Sequence, residues 1–319
     1  MNREATPRFV PPELATLVDA APTGNDWVFE IKYDGYRLEA IVHTGRVQLL
    51  TRRGNDWTSR FPRLAEALGR LGIGVATLDG EVVVLDRSGR SRFALLQQSL
   101  DAAHDQDLTF FVFDLLNLDG VDLRPLPLGE RRAKLERLFR QKKISARGPV
   151  RLGQRLDGDG KTLLRAACKL GLEGIIAKRL EAPYTSRRTS DWVKIKCNNR
   201  QEFVVIGFTP PAGTRAGLGS LLLAVHEDGV LRYAGRVGTG FSETTLRDLR
   251  RKLAAIETDV MPLSTRPAGI PRMTQWVRPK LVAEVAFTEW TDDGLLRHPA
   301  FHGLRDDKPA GTVRRERPR

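Results

Sequence analysis

A lysine amine is a strong nucleophile once it is neutral, and Lys32 ends the alternating segment "WVFEIK" just ahead of Asp34-Gly35. In a regular strand Val28, Glu30 and Lys32 share one face while Trp27, Phe29 and Ile31 line the other, which sets Glu30 beside Lys32. Two chemistries fit that placement. One is a solvated ion pair worth about 0–1 kcal/mol; the other is a nucleophile whose aim is set by the following turn. From this stretch alone the two stand equal. The nucleophilic role demands a pKa lowered from about 10.4 toward roughly 7–8, a cost of about 4 kcal/mol.

Further stretches accompany "EIKYDGYR" (30–37) in a fixed order: "TRRG" (51–54), "DGE" (79–81), "FFVFD" (110–114), "EGIIAKR" (173–179) and "WVKIK" (192–196). "LRHPAFHGLRDDK" (296–308) follows near the end. Together they resemble the ordered motifs of the ATP-dependent DNA ligases and their mRNA-capping relatives, which begin with K-x-D-G. "GRVGTGF" and "LRHPAFHGLRDDKPA" also resemble the ligase module of bacterial ligase D, an end-joining ligase. The resemblance covers nearly the whole chain. It departs in two places: "TRRG" replaces the commoner S-R-x-G while keeping a hydroxyl at Thr51, and Asp306 stands where the family often has Glu.

The resemblance implies that Lys32 attacks the α-phosphate of ATP and carries AMP as a phosphoramidate, which passes to a DNA 5′-phosphate before a 3′-hydroxyl displaces it. Lys194 and Lys196 alternate onto one strand face. Aimed at the same phosphate, they would disfavour a third ammonium at Lys32 and stabilise charge developing on phosphorus. By resemblance Glu81 meets the ribose, Phe113 stacks on adenine, Ile176 closes the other side of the base and Glu30 lies near the base. Arg37, Arg52 and Arg188 would contact the nucleotide or nearby phosphates. Glu173, with Glu81, would hold Mg²⁺ or Mn²⁺, hard ions that accept a few carboxylates. Arg305, Asp307 and Lys308 would orient the pyrophosphate leaving group as a lid on a hinge near residues 198–200. Each residue also has an ordinary reading: a surface arginine, a turn glutamate, or core packing for Phe113 and Ile176.

These residues must be positioned by a mixed α and β chain. The hydrophobic fraction of 41% over 319 residues suits two domains with real cores. "WVFEI" reads as one arm of a β-hairpin that turns at Asp34-Gly35 into "YRLEAIVHT", with a further strand at 46–51. Strands are expected over 75–86, 108–120, "GIIAKR" and "DWVKIKC", and helices over "RFPRLAEALGRLG", 129–141 and 159–170. After residue 200 short strands dominate around one helix near 242–256, where Ser242 is only a partial capping signal because Thr245 replaces the Glu or Gln of a capping box. The expected architecture is α+β. An adenylation (nucleotidyltransferase) domain of antiparallel sheets with flanking helices spans 1–199, and an OB-fold barrel spans 200–319. The tail "TVRRERPR" is expected to be mobile.

The balance of 52 Lys plus Arg against 39 Asp plus Glu, a net charge of +13, favours a polyanionic partner. By the ligase resemblance that partner would be duplex DNA with nicks or ends, with Ku expected only from the ligase D resemblance. Cys168 and Cys197 are too few for a zinc site or a disulfide framework, and free thiols suit a reducing compartment. No apolar run reaches the roughly 18 residues of a membrane span, and the N-terminus lacks a signal-peptide core. The expectation is a cytoplasmic, nucleoid-associated monomer. An RNA ligase or capping-type nucleotidyltransferase, and a non-catalytic nucleic-acid-binding OB protein, are the alternatives.

Overall fold

The computed structural model describes residues 8–101, 107–197, 199–211 and 217–317. The chain divides into two compact units after Cys197. In the first, the strands are β1 (Leu14–Leu17), β2 (Trp27–Ile31), β3 (Tyr36–His43), β4 (Arg46–Thr51), β5 (Val75–Val84), β6 (Leu108–Leu118), β7 (Val121–Asp122), β8 (Val150–Leu152), β9 (Arg155–Leu156), β10 (Gly174–Arg179) and β11 (Arg188–Lys196). The helices are α1 (Pro62–Gly69), α2 (Phe93–Asp101), α3 (Leu128–Gln141) and α4 (Gly160–Lys169).

Two sheets result. The first runs β1-β11-β10-β2-β9, and the second runs β4-β3-β5-β6-β7 with β8 also on β6. The expected hairpin at Asp34-Gly35 is therefore corrected: β2 pairs β10 and β9, whereas β3 pairs β4 and β5. The link passes from one sheet to the other. Gly35 is needed there because a Cβ would lie 2.0 Å from the Val82 carbonyl oxygen, so the glycine serves close backbone approach. Asp34 fixes the link from both sides, its N–H donating to Ser91 Oγ at 2.9 Å and its carboxylate accepting from the Phe93 N–H at 3.1 Å.

Alternation decides which faces are buried. On the first sheet Phe29, Ile175, Ala177, Val193 and Ile195 form a core into which Ala167 of α4 packs. On the second, Tyr36, Leu38, Ala40, Leu78, Val82, Phe110 and Val112 are buried with residues of α1, α2 and α3. The opposite faces carry Glu30, Lys178 and Lys194 on the first sheet and Arg37, Glu39, Asp79 and Glu81 on the second, together with apolar residues such as Ile176 and Phe111. The disposition of Cys168 and Cys197 corrects the free-thiol expectation: they are disulfide-bonded, tying α4 to the chain just beyond β11.

The second unit contains β12 (Asn199–Phe208), β13 (Leu221–Glu227), β14 (Val230–Val237), α5 (Glu243–Ala254), β15 (Gln275–Trp276), β16 (Val282–Phe287), β17 (Glu289–Trp290), β18 (Leu296–Arg297) and β19 (Ala300–Leu304). Its main sheet runs β14-β13-β12-β16-β19 and is antiparallel throughout, with β15 also on β12. Leu246, Leu249 and Leu253 of α5 join its core. Ser242 caps that helix by accepting from the Thr245 N–H at 3.1 Å, so the cap works without the acidic half of the box.

The expected mobile tail is tied down through Arg317. The His226 N–H donates to the Val313 carbonyl at 3.0 Å, the Glu316 N–H donates to Gln201 Oε1 at 3.2 Å, and the Arg315 guanidinium lies 4.3 Å from the Trp290 ring. Residues 318–319 of the tail and Asn198 of the expected hinge lie outside the described residues. Among the described residues, no helix is long and apolar enough to cross a membrane.

Candidate active site

The register of the first sheet assembles residues that are far apart in sequence. Ile176 lies opposite both Glu30 on β2 and Lys194 on β11, and Gly174 lies opposite Lys196. The Lys32 N–H continues the β2 ladder by donating to the Gly174 carbonyl at 3.1 Å. Glu30, Ile176 and Lys194 thus form one row across the sheet, and Lys32, Gly174 and Lys196 extend the next. The side chains of Glu30, Lys32, Ile176, Lys194 and Lys196 project from the face opposite the Phe29–Ile195 core. Gly174 must lack a side chain, since its φ is +153° and a Cβ would meet the Ile195 carbonyl oxygen at 2.1 Å.

The second sheet supplies another row. Arg37 lies opposite Glu81, and Glu81 opposite Phe111. The rings of Tyr33 and Phe111 stack with centroids 4.2 Å apart and planes 10° apart, so the residue after Lys32 is braced on this sheet. Phe113 is 8% exposed and packs with Leu116, Tyr184 and Trp192. The Arg37 guanidinium lies 5.0 Å and Lys178 Nζ 4.3 Å from its ring centroid, within cation–π range.

Lys32 is not paired with Glu30. Its Nζ lies 2.6 Å from Glu173 Oε1. Burial pushes the Lys32 pKa down, but the carboxylates of Glu173, Glu81 and Asp34 together hold it above its ordinary value. The nearby carboxylates thus outweigh burial at Lys32, opposite in direction to the depression expected from Lys194 and Lys196 at a shared phosphate. Glu30 instead faces Lys178 Nζ at 2.7 Å and Arg132 Nη1 at 3.8 Å.

Arg37 is bound to Asp79, its Nε and Nη2 donating to the two carboxylate oxygens at 2.8 and 2.5 Å, and its Nη1 reaches the Glu13 carbonyl at 2.9 Å. Tyr184 donates to the same Asp79 at 2.7 Å. Burial pushes Arg37 down, and the Asp79 charge more than reverses this. Arg52 occupies the turn after β4, half-buried. Arg188 opens β11 at an exposed position, where its Nη1 donates to the Ala15 carbonyl. Arg305, Asp307 and Lys308 belong to the second unit. There Arg305 donates to Asp307 at 2.8 and 2.9 Å and to Glu284 at 3.0 Å, and Lys308 pairs with Glu202.

Among the described residues, no group of three or more His, Cys, Asp and Glu side chains could hold a metal. Glu173 and Glu81 do converge electrostatically on Lys32. Two carboxylates match Mg²⁺, which takes one or two from protein and completes its shell with water and substrate phosphate. Sequence reasoning missed Lys178, Asp79, Tyr184 and Trp192. Three of them lie inside quoted motifs, yet a buried lysine or a carboxylate holding an arginine has no local signature.

Glu39, opposite Asp79 in the ladder, is 6% exposed and accepts from the Val10 N–H at 3.0 and 3.2 Å. Burial, reinforced by Asp79, pushes its pKa up to about 8. The folded chain therefore keeps a proton that the unfolded chain releases above about 4.3. The associated stability is complete below that pH, falls as pH rises toward 8 and is then constant, a loss of a few kcal/mol. Thermal melts from pH 5 to 9 should show this decline, and Glu39→Gln should flatten it; an unchanged slope would remove Glu39 as its source.

Comparison with known proteins decides the family. A model described as "ATP dependent DNA ligase domain" matches residues 12–196, and one described as "ATP dependent DNA ligase C terminal region" matches 214–308. The chain belongs to the ATP-dependent DNA ligases. The ligase is 45% identical over 316 residues to the multifunctional non-homologous end joining protein LigD of Pseudomonas aeruginosa, covering 98% of this chain and 37% of that protein. It is 40% identical over 295 residues to the LigD of Mycobacterium tuberculosis, covering 92% of this chain and 38% of that protein. The ligase thus spans under two-fifths of either relative. A solved structure titled mycobacterial DNA ligase D complexed with ATP and MES matches with a TM-score of 0.73 and 39% identity, over 96% of this chain and 98% of that one. The fold is accordingly a nucleotidyltransferase domain of sheets and helices followed by an OB-fold, as expected from the sequence.

Proposed function

We propose that this ligase seals nicks or broken ends in duplex DNA through AMP carried on Lys32, in double-strand-break repair. The observation that carries the reading is the position of Lys32: on the link between two polar sheet faces, 2.6 Å from Glu173 and in the row that leads to Lys196.

The Lys32 amine must lose a proton before attack, and Glu173 is within hydrogen-bond reach to accept it. The Nζ–P bond then forms as the bond from Pα to the pyrophosphate oxygen breaks, and pyrophosphate leaves. Lys194 and Lys196 stabilise charge on the phosphate oxygens. A carboxylate has two oxygens, so Glu173 can face both the amine and an ion; with Glu81 it would hold Mg²⁺ or Mn²⁺, which supplies charge neutralisation. Phe113 and Ile176 flank the base, Glu30 lies at its edge, and Arg37, Arg52 and Arg188 serve the sugar and phosphates. Arg305, Asp307 and Lys308 of the OB unit act on the leaving group. The DNA 5′-phosphate next takes AMP from Lys32, and the 3′-hydroxyl attacks that activated phosphate as AMP departs.

The basic OB unit suits DNA. Ku is the partner this reading brings from the end-joining relatives, and a monomer in the bacterial cytoplasm, at the nucleoid, is the working form. The test is sealing of a nicked DNA duplex with ATP and Mg²⁺, beside GTP and a nicked RNA duplex. Sealing of DNA with ATP alone is expected; preference for RNA or GTP would overturn the assignment.

A further inference from the structure

In the main sheet of the second unit two carboxylates stand side by side. Glu202 on β12 lies directly opposite Glu284 on β16, and like charges so placed weaken a ladder unless cations neutralise them. Cations meet both. Arg200 Nε lies 2.8 Å from Glu284 Oε1, Arg305 Nη1 donates to Glu284 Oε2 at 3.0 Å, and Lys308 Nζ pairs with Glu202.

Two of those cations come from one short turn. β19 ends at Leu304, the Arg305 N–H donates to the Val282 carbonyl at 2.7 Å, and the Lys308 N–H closes the turn on the Arg305 carbonyl at 3.3 Å. Asp307 is 5% exposed, with both oxygens accepting from Arg305, so it positions that guanidinium. Arg305 and Lys308 thus face two adjacent anionic groups of their own chain. The two contacts differ in how readily they open. The Lys308–Glu202 pair is 20% and 17% exposed, against 11% and 7% for Arg305 and Glu284. Water can therefore replace Lys308 at Glu202, and parting the pair strands no fully buried charge.

We propose that Glu202, backed by Glu284, is an internal stand-in for pyrophosphate: it engages Lys308 and competes with the leaving group for that cation. This rests on the reading that Lys308 acts on the leaving group. A cation engaged by its own chain binds an outside anion with an affinity reduced to the fraction of time it is free, so removing the internal competitor strengthens binding of the outside one. Loss of a contact that served stability alone would give no such gain.

The experiment runs nucleotide transfer in reverse. A pyrophosphate oxygen attacks Pα of the AMP on Lys32, the Nζ–P bond breaks, ATP is re-formed and the amine regains its proton. The quantity measured is the pyrophosphate concentration that gives half-maximal discharge of labelled AMP from the full chain with Mg²⁺. Glu202→Gln should lower it by about two- to fivefold, the range that a partly exposed ion pair allows. Glu202→Ser, which also removes the charge, should do the same and serves if the glutamine variant folds poorly. Lys308→Ala should raise the concentration by about tenfold or more, as loss of a hydrogen bond to a charged group does. The double variant E202Q/K308A should match Lys308→Ala, because Glu202 acts through Lys308. An unchanged or higher requirement in the folded Glu202 variants overturns the proposal. So does a gain that persists in E202Q/K308A, which would mark a general effect of removing negative charge. Lys308→Ala with the wild-type requirement would instead defeat the underlying reading of Lys308.

Discussion

Lys196→Ala is expected to slow AMP transfer onto Lys32 by about 10²–10³-fold, because one charge aimed at the phosphate in the transition state is worth about 3–4 kcal/mol. The register is the reason to expect so much. Lys196 lies opposite Gly174, and the Gly174 carbonyl receives the Lys32 N–H, so the two lysines share a row across three adjacent strands. Lys32 and Lys196 are therefore two strand spacings, roughly 10 Å, apart, a gap that two long side chains can bridge by converging on one phosphate between them. Lys194→Ala, one row along with Ile176 and Glu30, should have a similar effect. Single-turnover transfer from α-phosphate-labelled ATP measures the rate, and an unchanged melting temperature shows that the fold is intact. A loss below about fivefold for both variants would remove these lysines from the transition state.

Arg131→Met is expected to destabilise the first unit by about 3–5 kcal/mol, the cost of leaving a buried charge without its partner. Arg131 and Asp114 are both fully buried, with Nε and Nη2 donating to the two Asp114 oxygens at 2.8 Å each. Arg131 Nη1 also donates to the Leu126 carbonyl at 2.7 Å and the Ala182 carbonyl at 3.3 Å. The pair pins α3 to β6 next to Phe113, so its loss disturbs that strand. Against the usual 5–15 kcal/mol for a native domain, this is a large fraction. Urea unfolding measures it, and the double variant R131M/D114L should lose less than Arg131→Met alone, because no orphan carboxylate remains. A midpoint within about 1 kcal/mol of wild type would contradict the argument.

What could be read from the sequence follows from how local each signal is. The periodicity behind β5, β6, α3 and α4, and the alternation that puts Lys194 and Lys196 on one face, are properties of neighbouring residues. Asp34-Gly35 misled because two strands of one hairpin and two strands of separate sheets have the same alternation. The deciding contact, Gly35 against the Val82 carbonyl, is remote in sequence. The charge environment of Lys32 was hidden for the same reason: Glu173 reaches it through β10, and no spacing near residue 32 announces that carboxylate. Lys178 was inside a quoted motif but carried the surface expectation of any lysine; only the register with Trp192 buries it. The partnership of Cys168 with Cys197 likewise needed α4 and the end of β11 to be brought together.

The central claim is that Lys32 carries the activated nucleotide. Intact mass spectrometry of the purified chain, before and after ATP with Mg²⁺ and again after pyrophosphate, tests it most directly. The account predicts a mass gain of one AMP mapped to the peptide containing Lys32, its removal by pyrophosphate, and no gain in Lys32→Ala. An adduct that persists in Lys32→Ala, or a wild-type chain that never carries AMP under these conditions, would contradict it.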